Sequence, residues 1–137
     1  MKKIFVLLVI AFFMLVLGCR GDDISMPALS SAKVITVFSL NGVDGTINET
    51  EKTIAVTMFS GTDVKALIAT FTTTGTSVKV GSTVQISGIT TNNFTSSVTY
   101  TVTAADASTQ DYIVTVKVAP PLYQYILKWF WTNWNKY

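Results

Sequence analysis

Histidine is absent from this chain of 137 residues, cysteine occurs once, and charged side chains make up only 13% of it. Each shortage removes a class of function. Without histidine there is no Ser-His-Asp or Cys-His arrangement and no histidine-ligated zinc. With Cys19 as the one cysteine, no disulfide can form within the chain even in an oxidising compartment, so stability has to come from an ordinary hydrophobic core. Neither a Gly-rich phosphate loop nor a dinucleotide fingerprint occurs. Ten basic residues face eight acidic ones, and two of the ten are Lys2 and Lys3 at the start. No basic patch forms further along, which argues against nucleic acid as a partner.

What the chain does have begins at its N-terminus. Met1-Lys2-Lys3 is basic, Ile4 to Leu17 is an unbroken apolar run, and Gly18 places a small residue before Cys19. This is the pattern of a secretory signal peptide, expected over residues 1–18. As a helix the apolar run would span roughly 21 Å, short of the ~30 Å hydrocarbon core, which disfavours a transmembrane span. Val16-Leu17-Gly18-Cys19 resembles the lipobox of bacterial lipoproteins, with Leu17 bulkier than usual before the glycine. The resemblance implies that Cys19 is diacylated on sulfur and becomes the first residue after cleavage. A thiolate is the strongest nucleophile available for lipid transfer, and two acyl chains anchor a protein stably where one holds it only marginally. The covalent lipid on Cys19 is then the only non-protein group expected, with no cofactor. Arg20 after the cysteine resembles lipoproteins sent to the outer membrane of diderm bacteria. The expected location is the cell envelope, lipid-anchored, with the outer membrane favoured over the inner.

Residues 19–32 read as the lipidated cysteine and a polar tether. The tripeptide Arg20-Gly21-Asp22 within it would lie against lipid headgroups, where an adhesion loop cannot protrude. Over residues 33–118 the pattern changes to period two, rich in threonine. Ile54, Val56 and Met58 alternate with Thr53, Ala55 and Thr57; Val98, Tyr100, Val102 and Ala104 with Thr99, Thr101 and Thr103; Tyr112, Val114, Val116 and Val118 with Ile113, Thr115 and Lys117. One face of each strand is apolar and the other wet. Val34 to Leu40, Leu67 to Phe71, Val78 to Val80 and Val84 to Ile86 are shorter matches, separated by turn formers such as Asn41-Gly42, Ser60-Gly61 and Gly81-Ser82. About seven strands predict an all-β fold, an antiparallel Ig-like sandwich. Ala32 to Ser39 with Gly45 to Thr50, and Val98 to Asp106 with Asp111 to Val116, resemble the opening and the closing hairpin of bacterial Ig-like (cadherin-like) domains of unknown function. Such domains occur in surface lipoproteins; the resemblance implies a fold and carries over no ligand and no catalytic residue.

Pro120-Pro121 ends the last strand. Residues 119–137 form an aromatic tail, with Trp129, Phe130, Trp131 and Trp134 as candidate interaction residues. Three readings stand: a membrane-interface segment in which Trp and Tyr sit at headgroup level, a docking platform for a sugar or partner protein, or the stub of a longer multidomain reading frame.

Little chemistry is available. Ser30-Ser31-Ala32-Lys33 fits S-x-x-K but lacks the S-D-N and K-T-G partners of penicillin-binding enzymes. The acidic residues fall mostly in turns, where aspartate bonds its own backbone. Asp44, Glu49 and Glu51, with Asn48, sit close enough in sequence to be calcium candidates; no other metal site is expected. The expectation is a non-enzymatic, lipid-anchored spacer or weak adhesion module that meets the membrane through its lipid and an unknown protein or glycan beyond it. The alternative is an envelope hydrolase using carboxylates or a Ser30/Lys33 pair.

Overall fold

The computed structural model describes residues 27–134. The leader, Cys19 and Arg20-Gly21-Asp22 lie outside them. The threonine-punctuated runs become strands β1 (Ile35–Leu40), β4 (Thr53–Met58), β5 (Leu67–Thr73), β6 (Ser77–Val80), β9 (Val98–Thr103) and β10 (Thr109–Val118). Short pieces complete the set: β2 (Val43–Asp44), β3 (Thr46–Asn48), β7 (Thr83–Val84) and β8 (Thr91–Asn92). A helix, α1 (Leu122–Trp134), follows Pro120-Pro121.

The strands form two sheets, one ordered β2-β1-β5-β8 and the other β3-β4-β10-β9-β6-β7. The all-β sandwich expected from the alternation is therefore present. Its strand count exceeds seven because two- and three-residue ladders flank the long strands. Gly45 lies where the chain passes from one sheet to the other, its N–H donating to Phe38 O at 2.9 Å. A Cβ there would sit 3.0 Å from Ile54 Cγ2, so the crossing runs tight against the core.

One pairing departs from an all-antiparallel scheme: β4 runs parallel to β10, with Thr53 opposite Ile113 and Met58 opposite Val118. The chain between them passes through the other sheet, which releases the pair from the antiparallel constraint of a hairpin. Between the sheets lie Ile35, Phe38, Leu40, Ile54, Val56, Met58, Leu67, Val78, Phe94, Tyr100, Val102, Tyr112 and Val114. The inward residues of β4, β9 and β10 are the ones the alternation selects, except that Val118 is exposed where β10 runs past the end of the core.

The two ends of the chain leave from opposite poles. Before β1, Ser30 O accepts from Asp106 N at 3.2 Å, which ties the incoming chain to the β9–β10 turn where β10 begins. After β10, Ala119 N donates to Met58 O at 2.9 Å at the far end of the same strand. The 10 residues of β10 separate these points by roughly 33 Å.

Candidate functional site

At the entry pole, the β9–β10 turn is built by Asp106, whose Oδ1 accepts from Ser108 N at 2.9 Å and from Ser108 Oγ at 2.5 Å. Ala107 takes φ 66 to close the turn. Lys33 Nζ then donates to Ser108 Oγ at 2.8 Å. The Ser108 hydrogen bonds hold the Asp106 carboxyl below its usual value, with Lys33 adding a smaller pull in the same direction. Lys33 therefore reaches Ser108 and not Ser30, whose Oγ instead accepts from Ala32 N at 3.2 Å. Ser30 and Lys33 thus make no hydrogen bond to each other, and Lys33 latches the incoming chain to the β9–β10 turn.

The calcium candidates are drawn into other work. Asn48 Oδ1 accepts from Thr50 N and Glu51 N, and its Nδ2 donates to Glu51 Oε2, so Asn48 and Glu51 build their own turn. Glu49 accepts from Lys52 Nζ at 2.6 Å and from the Tyr112 hydroxyl at 2.9 Å, capping the one polar atom of a core tyrosine. Partial burial pushes Glu49 up, but the Lys52 and Tyr112 hydrogen bonds outweigh it and hold the carboxyl below its ordinary value. Asp44 lies on β2 opposite Ser39. Among the described residues no three acidic, cysteine or histidine side chains gather where they could hold a metal.

A buried polar chain lies between the sheets near β7 and β8. Asn92 Nδ2 donates to Gln85 Oε1 at 2.7 Å and to the Tyr100 hydroxyl at 3.1 Å. Burial pushes the Tyr100 hydroxyl up to about 12. The Tyr100 ring meets Phe38 and Phe71 edge-on and stacks on Phe94. Among the described residues no buried side-chain nitrogen or oxygen is left without a partner.

The surface aromatics collect at the exit pole. Phe59, directly after β4, is 74% exposed, and α1 presents Tyr123, Tyr125, Trp129, Phe130, Trp131 and Trp134, all exposed. No α1 side chain is buried. The four tail residues singled out by aromatic density thus lie together, with Trp129 edge-on to Phe130 at 5.5 Å. Phe59 was not legible at the exit pole: only the β4–β10 pairing brings it there. Asp106 and Ser108 were likewise hidden, since their role depends on a contact with Lys33 across 75 positions.

Fold and surface together define a small all-β module with hydrogen-bonded carboxylates and one aromatic pole. Residues 35–116 match the family described as SGBP, N-terminal, the N-terminal domain of surface glycan-binding proteins. The chain belongs to that family. Among solved structures, a candidate glycoside hydrolase from Bacteroides thetaiotaomicron is 30% identical with a TM-score of 0.53, covering 69% of this chain and 27% of that one. A candidate secreted protein from Bacteroides fragilis is 12% identical with a TM-score of 0.46, covering 65% of this chain and 97% of that one. The chain thus spans about a quarter of the length of the first. No curated protein matches it.

Proposed function

We propose that this chain is a non-enzymatic, lipid-anchored module of a surface glycan-capture system, in which the sandwich is a strut. Held to the outer membrane through Cys19 at one pole, it carries whatever follows residue 118 at the other. The observation that supports this reading most is the opposition of the poles. Entry is latched by Lys33, Ser108 and Asp106, exit is tied at Met58, and roughly 33 Å of β10 lies between. Family membership supplies the glycan as the ligand class of the wider system. The wet faces are dominated by threonine, which keeps a sheet soluble without offering a charged or metal-bearing surface.

Hydrolysis is the second reading, favoured by the candidate glycoside hydrolase among the similar structures. It needs two carboxyl groups facing each other across a substrate. Here Glu49 is spent on Lys52 and Tyr112, Asp111 accepts from Thr101, and Asp106 is spent on Ser108.

Labelling cells with radioactive palmitate tests the anchor. The wild-type chain takes up label and fractionates with membranes, whereas Cys19→Ser takes up none and keeps its leader. Label on Cys19→Ser, or turnover of a chromogenic glycoside that Lys33→Ala or Asp111→Asn abolishes, would overturn the reading.

A further inference from the structure

Projected at 100° per residue, α1 is strongly amphipathic despite its composition. Gln124, Lys128 and Thr132 stand at i, i+4 and i+8 and form one narrow polar stripe, flanked by Tyr125 and Trp131. Nearly all of the remaining circumference is apolar, with Ile126 close to its centre. Asn133 is the exception, and its Nδ2 is already satisfied by Trp129 O at 3.0 Å. Thr132 Oγ likewise donates to Lys128 O at 2.7 Å. In total, nine large apolar or aromatic side chains of this 13-residue helix are solvent-exposed.

We propose that α1 lies in the surface of an anionic lipid bilayer, with its polar stripe outward and its aromatic face among the acyl-chain ends. Three observations choose a bilayer over a protein groove or a glycan. The apolar face is too wide for one partner helix, which would cover about 100° of it, whereas a bilayer covers everything except the stripe. A glycan needs a polar side chain free beside the rings, and the one amide on that face, Asn133, already donates its Nδ2 to Trp129 O. Lys128 is the one ionised side chain of the helix and no acidic residue accompanies it, which complements anionic headgroups. At 13 residues α1 is too short to cross a membrane, in keeping with Trp and Tyr held at the interface. The ten residues between Cys19 and Ser30 reach at most roughly 36 Å, comparable to the length of β10, so a chain held at Cys19 can lay α1 on the same leaflet. The strut then lies along the membrane, gripped by a lipid at one end and by α1 at the other.

All three tryptophans of the chain are in α1, so their fluorescence reports on this helix alone in the full protein. Vesicles containing phosphatidylglycerol should shift the emission to the blue, and brominated acyl chains should quench it. Lys128→Gln should raise the lipid concentration for half-maximal shift about fivefold, the loss of one cation near an anionic surface. Ile126→Glu should abolish the shift while leaving the far-UV circular dichroism of the sandwich unchanged. Emission unaffected by vesicles overturns the proposal. So does a shift that needs no lipid and grows with protein concentration, which would assign α1 to a second copy. A shift produced by a soluble polysaccharide and not by vesicles overturns it as well.

Discussion

Removing residues 122–137 should leave the sandwich as stable as before. Each large apolar side chain that leaves water contributes about 1.5–3 kcal/mol, so packing only three of the α1 side chains on the sandwich would contribute roughly 5–9 kcal/mol. None of them is buried: Trp134 is 80% and Leu122 79% exposed, and the rest exceed half. The expected change on deletion is therefore below about 0.5 kcal/mol, the range of surface changes away from any packing feature. For a domain of this size 1 kcal/mol shifts Tm by about 4–8 °C, so the difference is easily resolved. Because the tryptophans all lie in α1, unfolding must be followed by far-UV circular dichroism or by the tyrosine signal of Tyr100 and Tyr112. The intact chain offers an internal check: tryptophan emission should stay flat through the transition that circular dichroism detects. A loss of several kcal/mol on deletion, or tryptophan emission that follows the sandwich transition, would refute the separation of α1 from the core.

Other consequences fall on the sandwich itself. A Cβ at Gly75 would meet Val102 Cγ1 at 2.4 Å and the backbone oxygen of Thr103 at 2.7 Å, so Gly75→Ala should cost about 1–3 kcal/mol in urea denaturation. At Gly81 nothing lies within 4 Å and only the left-handed backbone resists, so Gly81→Ala should cost about 1 kcal/mol; a Gly81 effect above the Gly75 one would contradict the packing. Asn92→Ala strips Gln85 and the Tyr100 hydroxyl of a shared donor between the sheets and should cost about 1–3 kcal/mol; an unchanged midpoint would show that the buried chain does not bind the sheets together. Glu49 has a folded-state value below its unfolded one, so its contribution is present above the unfolded value and is lost as pH falls through the folded one. Glu49→Gln should flatten the acid limb of the stability profile; an unaltered acid limb contradicts the assignment.

The long strands were legible because threonine and apolar residues alternate over six or more positions, a period no helix shares. β2, β3 and β8 were not, since two or three residues cannot display a period. The β4–β10 pairing was hidden for a different reason. Parallel partners sixty positions apart share no turn, and only the closed sandwich places Thr53 opposite Ile113. The charged turn at Asn48–Lys52 was visible, but its use was not: Glu49 finds Tyr112 across 63 positions, which converts a potential metal ligand into the cap of a core hydroxyl. In α1 the aromatic density was plain, whereas the stripe of Gln124, Lys128 and Thr132 emerges only from their i, i+4, i+8 spacing on the helix.

The strut itself can be measured. Spin labels on Asp106→Cys and Phe59→Cys in a Cys19→Ser background report the separation of the entry and exit poles. A single narrow distribution at roughly 30–40 Å is expected, set by the rise of β10. A distance below about 20 Å would place both ends of the chain at one pole and contradict the strut.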